Sequence, residues 1–154
     1  MVRLNDLSAA EREHIMGKEL PVYEMTSPVE GPPLGERRVA LVTTAGLHRT
    51  DSDAFSFVDL TYRVIPGDTD LRRLTMTHSS VHFDRTGFRE DVNVVFPLDR
   101  LRELAASGVV GSVADHHYSL MGAGWPPAMI ESTCSELASL LRADNVDAVC
   151  LVPV

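Results

Sequence analysis

The sequence lacks the features that several classes of function require. It has two cysteines, Cys134 and Cys150, too few for a disulfide framework and wrongly spaced for a zinc finger. No run approaches the roughly 20 apolar residues that cross a bilayer, so no membrane partner is expected. Met1 to Glu13 has no basic region followed by an apolar one, so no signal peptide is expected and a reducing cytoplasm is the default location. Positive charge is scarce: 14 Lys and Arg face 22 Asp and Glu, a net charge of -8. Such a surface repels phosphate backbones, and nucleic acid is not an expected partner. Gly46, Gly122 and Gly124 do not form a dinucleotide fingerprint or a phosphate loop, so no nucleotide cofactor is expected. There is no internal repeat and no low-complexity tract.

What is present reads as one globular core. Hydrophobic residues make up 44% and charged residues 23% of 154 positions. Residues 1–37 stand apart as an arm and a Pro/Gly-rich loop: Asp6 or Ser8 is expected to cap a short helix, with Glu11 three residues after Ser8 as in a capping box, and Pro21, Pro28, Pro32 and Pro33 break any regular element after it. Residues 38–154 read as a single α/β domain. Val39 to Thr44 is an apolar, branched run expected to be a buried parallel strand. Tyr62 to Pro66 is expected as an edge strand ending in proline, and Leu74 to His78 as the next strand. Pro97 to Ala106 has helical spacing closed by Gly108; Val109 to Val113 is a short strand; Pro127 to Arg142 is a second helix. Val146 to Val154 is a final apolar strand. Strands alternating with helices predict a mostly parallel, doubly wound sheet flanked by helices, Rossmann-like or flavodoxin-like.

Ligands of such sheets bind beyond the carboxyl ends of the strands. The segments expected there hold five of the six histidines; His14 lies in the arm. His48, His82, Asp84, His117 and Tyr118 are the candidate pocket, because imidazole suits acid–base work near neutral pH. His78, His82 and Asp84 form a candidate metal set, although strand spacing spreads them too far for one ion unless the loop curls. In the bland alternative Asp84 caps the next turn. Cys134 is expected in a helix core and Cys150 as a buried, inert thiol in a strand. Trp125, before two prolines at a helix start, is expected to be a packing residue.

The segment Asp91-Val-Asn-Val-Val-Phe-Pro-Leu-Asp-Arg-Leu-Arg-Glu-Leu104 resembles a string found in the selenoprotein B type subunits of glycine, sarcosine, betaine and D-proline reductases. Gly46-Leu-His48, Tyr62 to Pro66, His82-Phe-Asp84, Gly111-Ser112, His117 to Gly122 and Asp147 to Val154 resemble further pieces in the same order. The resemblance implies a reductase that breaks a carbon–nitrogen bond of a small amino acid or amine. In it a selenolate or thiolate attacks, a pyruvoyl group on a separate subunit holds the substrate, and dithiol is the final reductant. It also implies that the catalytic selenocysteine or cysteine directly follows a strand ending in Pro-Val. Pro153-Val154 are the last residues here, so the resemblance implies a chain cut at its C-terminus through a recoded UGA codon and inactive as given. An apolar terminal strand without its cover is expected to drive homo-oligomer formation. Two other readings remain open at this point: a non-catalytic module binding a small ligand or partner, and a metal-dependent hydrolase or lyase built on His78, His82 and Asp84.

Overall fold

The computed structural model describes residues 3–17, 22, 29–57, 59–80, 84–122 and 126–154. The arm carries helix α1 (Ala9–Met16), and the expected capping box is present: Glu11 N–H donates to Ser8 Oγ, and Ser8 N–H donates to Glu11 Oε2. No residue of α1 is buried.

The centre of the fold is β1 (Arg38–Thr43), where Val39, Ala40, Leu41 and Thr43 are buried. A run of branched and small apolar residues fits a strand covered on both faces. β1 pairs in parallel along one side with β7 (Ala148–Val152). Along its other side it pairs first with β5 (Ser112–Val113) and then with β6 (His116–Leu120), both parallel. β5 and β6 are thus two pieces of one interrupted strand. β3 (Tyr62–Pro66) closes that side, antiparallel to β6. β2 (Leu47–Arg49) and β4 (Leu74–Met76) form a separate antiparallel pair.

Helix α3 (Leu98–Ala106) follows a short helix α2 (Thr86–Glu90). It covers the face to which Val39 and Leu41 point, with Phe96, Leu98, Leu101 and Val110 in one buried cluster with Leu47, Leu71 and Leu74. Helix α4 (Glu131–Ala143) covers the opposite face, where Leu137 packs on Tyr118 and Leu120. Both long helices end in the same way. After α3 the Val109 N–H bonds the Leu104 carbonyl and Gly108 takes φ +75. After α4 the Val146 N–H bonds the Leu141 carbonyl and Asn145 takes φ 53. Glycine and asparagine are the residues that tolerate this left-handed position.

Several expectations are corrected. The α/β class holds: helices flank a mixed sheet in which β5, β6 and β7 pair parallel with β1 and β3 joins antiparallel to β6. Leu74 to Met76 belongs to the small pair with β2 and not to the main sheet. Residues 116–120, expected as a loop beyond a strand, are a strand themselves. Two consecutive histidines obscured the alternation that Tyr118 and Leu120 otherwise show. Cys134 and Cys150 are both exposed, because α4 turns Leu137 inward and β7 is an edge. Trp125 lies outside the described residues. Among the described residues, no helix is long and apolar enough to cross a membrane.

Candidate functional site

β1, β6 and β7 run in parallel, so their carboxyl ends share one rim. Thr44 organises it. Its N–H donates to the Val152 carbonyl at 3.1 Å. Its hydroxyl accepts from the Val154 N–H at 2.9 Å and donates to the Val154 carbonyl at 3.3 Å. One threonine therefore fixes both polar groups of the last residue of the strand extension. Gly122 lies against it: a Cβ there would meet Thr44 O at 2.7 Å and Thr44 Oγ1 at 2.8 Å. Gly46, at φ +64, passes as close to Thr77, where a Cβ would stand 2.7 Å from the carbonyl oxygen. Both approaches need glycine.

His78 joins this rim. It is buried, and its Nδ1 accepts from the Ser80 N–H at 3.2 Å. That bond places the ring proton on Nε2 in the neutral form. Burial lowers the His78 pKa; the nearby Arg85 charge pushes the same way, and a hydrogen bond to the Val154 backbone opposes both. The Arg85 guanidinium donates to the His78 carbonyl. The end of β7 is thus met by a threonine hydroxyl, an imidazole and a neighbouring arginine. Donors and positive charge of this kind stabilise an anionic group.

The described residues among those expected to form the pocket are each engaged apart from one another. His48 is buried on β2. Its Nδ1 donates to the Arg49 carbonyl at 3.0 Å, and its Nε2 accepts from the Thr77 hydroxyl at 2.9 Å. Both ring nitrogens are spent, and Phe55 stands edge-on beside the ring. His117 is wholly buried on the α3 face, edge-on to Phe96. β1 pairs with β5 up to Val39 and with β6 from Val42, which leaves the Leu41 N–H in the gap. His117 Nδ1 accepts that N–H at 2.9 Å. The imidazole completes the ladder where the strand is broken. Burial depresses its pKa to about 4, so it stays neutral. Tyr118, next along the strand, points to the opposite face, against Tyr62 and Leu137. Asp84 is exposed and accepts the Thr86 N–H at 2.9 Å, the capping role of the bland reading. His82 lies outside the described residues. Among the described residues no group of three His, Cys, Asp or Glu is placed to hold a metal ion.

Sequence reasoning missed Thr44 and Gly122 and assigned His78 only to the metal set. The signal for Thr44 was a second threonine ending an apolar run just before Ala45-Gly46. The opposite end of the strands is held by a different cluster. Arg38 bonds the Asp144 carboxylate at 2.5 Å and Asp115 at 3.0 Å. The other Asp144 oxygen accepts the N–H groups of Asp115 and His116. Its role is to tie α4 to β1 and β6.

The string Asp91 to Leu104 is also structural. Asp91 accepts the Asn93 N–H at 2.9 Å, and Asn93 Oδ1 accepts the Asp99 N–H at 3.1 Å, which caps the first turn of α3. Thr43 donates to the Val95 carbonyl at 2.8 Å, and Phe96 is fully buried.

Comparison with known proteins gives a consistent result. Residues 10–154 match the family model described as glycine/sarcosine/betaine reductase selenoprotein B. The chain is 33% identical over 138 residues to the D-proline reductase subunit gamma of Acetoanaerobium sticklandii, covering 83% of this chain and 56% of that one. It is 32% identical over 145 residues to the glycine reductase complex component B subunit gamma of Symbiobacterium thermophilum, covering 86% of this chain and 32% of that one. It is 30% identical over 140 residues to the betaine reductase complex component B subunit beta of Peptoclostridium acidaminophilum, covering 85% and 32%. The chain therefore spans between about a third and about a half of the length of these relatives. No solved structure gives a significant match.

Proposed function

The chain belongs to the glycine/sarcosine/betaine reductase selenoprotein B family, and from that premise we propose that it serves as a component of a reductase cleaving the carbon–nitrogen bond of a small amino acid or amine. The observation that carries this reading is the rim at the end of β7. Thr44 holds both polar groups of Val154, and His78 and Arg85 stand beside it. A selenolate or thiolate following that strand would meet hydrogen-bond donors and a positive charge. These favour the anionic, nucleophilic form. In this reading Thr44 orients the backbone, and His78, with its proton on Nε2, donates to the anion or passes a proton to the departing amine.

The substrate amine would be held by a pyruvoyl group on a separate subunit, and dithiol would regenerate the reduced state. None of the described residues is assigned to hold that group. The 154 residues themselves act as the scaffold that aims the nucleophile.

Two measurements test this. The codon after that of Val154 is expected to be an in-frame TGA or a cysteine codon; TAA or TAG there, with no frame beyond, overturns the placement of the nucleophile. The complete polypeptide with its partner subunits is expected to show dithiol-dependent reductive cleavage of a carbon–nitrogen bond, with release of ammonia or amine from glycine, sarcosine or betaine or with ring opening of D-proline. His78→Gln should lower kcat and move its pH profile. Full activity with an unchanged profile would remove His78 from the chemistry.

A further inference from the structure

Seven of the nine arginines from Arg38 to Arg102 pair with an aspartate or glutamate at 2.5–3.0 Å. Among the described residues, Arg85 and Arg89 pair with none, although the chain carries a net charge of -8. Of these two, Arg85, the residue before α2, is the one that stands at the rim. Its side chain is held there. One of its terminal nitrogens donates to the His78 carbonyl, and its charge presses on the His78 imidazole, which in turn bonds the Val154 backbone. One of the five N–H donors of the guanidinium is thereby used, and the others have no acceptor among the described residues. An anchored arginine with donors to spare and no carboxylate of its own is equipped to take one from a ligand.

We propose that Arg85 receives the carboxylate of the substrate, which narrows the substrate class to amino acids with a free carboxylate and leaves plain amines outside it. This assignment rests on the reductase reading. Glycine, sarcosine, betaine and D-proline differ at nitrogen, which is primary, methylated, quaternary or part of a ring. They share a carboxylate on the carbon whose bond to nitrogen is to break. A group that grips the carboxylate therefore places that carbon, whatever the nitrogen carries. An acidic protein repels such a group unless a cation is set out for it. A guanidinium suits the task because two of its N–H groups run parallel and match the two carboxylate oxygens, whereas a lysine would offer a point charge. Held by Arg85, the substrate is brought to the rim where β1, β6 and β7 end. Arg85 is then a substrate-binding residue and takes no part in breaking the bond.

The test compares steady-state kinetics of the complete polypeptide with its partner subunits on whichever of the four acids it cleaves and on the carboxamide of that acid. Arg85→Gln should raise KM for the acid by about 10- to 100-fold, the worth of a charge-assisted pair, with a smaller change in kcat. The preference for acid over carboxamide should fall by the same factor. A merely structural role would act on both compounds alike and leave that preference where it was. Arg85→Lys should recover part of the lost KM, since it returns the charge without the fork. Wild-type turnover together with an unchanged KM in Arg85→Gln, or with equal losses on acid and carboxamide, would overturn this assignment and leave the reductase reading intact. A complex that cleaves none of the four acids would overturn that reading, and this assignment with it.

Discussion

The two edges of the main sheet are built on opposite plans. β3 is guarded. Arg63 lies within it, bonded to Asp59 at 2.9 Å and to the carbonyls of Asp53 and Ala54, with its guanidinium 4.2 Å from the centre of the Phe55 ring. Tyr62 donates to Glu136 at 2.7 Å, and the strand closes on Pro66, which has no N–H to offer. Charge, a covering loop and proline are the devices that keep an edge an edge. β7 has none of them over Ala148–Val152. The difference teaches that β3 is built to end a sheet, whereas β7 lacks the devices that would end one.

The comparison can be broken or sharpened at several residues. The largest effect is expected at Arg63. Its head and Asp59 are both mostly buried, so Arg63→Ala leaves the Asp59 carboxylate with only the neutral donors of Ser56 and Thr61 and should cost about 3 kcal/mol in denaturant unfolding. A loss under about 1 kcal/mol, the worth of an exposed pair, would mean that the guard on β3 is ornamental.

The next effect is acid. His117 has its pKa lowered to about 4 in the fold, against the 6.5 of an unperturbed imidazole. The unfolded chain therefore binds the proton first. Stability is full above pH 6.5 and is lost as pH falls toward 4, by about 3 kcal/mol at most. The seam that opens is β1–β6, which carries β3 with it. His117→Gln, which can still accept the Leu41 N–H, should flatten stability between pH 6.5 and 4. An unchanged slope would place the acid sensitivity elsewhere.

Thr44→Val removes the hydroxyl that holds Val154. It should cost about 1–2 kcal/mol and speed exchange of the Val154 amide. The smallest effect is at Leu151. In dilute protein Leu151→Lys should change stability by less than about 0.5 kcal/mol, because that side chain already stands in solvent.

Much of this arrangement was legible in the sequence. The apolar run of β1, the proline-ended β3, the Ser8–Glu11 box and the spacing of α3 and α4 all reflect local rules, and the structure follows them. What escaped was non-local. At the break between β5 and β6, Gly67 approaches the turn: its N–H donates to the Asp115 carbonyl at 2.7 Å. No pattern in residues 112–120 shows that contact. Of the candidate histidines, His117 and His48 are spent on backbone and hydroxyl partners, which no residue pattern announces, while Thr44 and His78 meet Val154 at the carboxyl ends of the strands. The segment that carried the resemblance in the sequence, Asp91 to Leu104, serves packing and capping. Its length reflects how many partners a buried turn and helix start must satisfy.

Amide hydrogen exchange along β7 tests the central contrast most directly. If its outer side is unguarded in the 154-residue protein, the Val149 and Leu151 amides exchange much faster than those of Cys150 and Val152, which face β1. Equal protection of all four amides would contradict it.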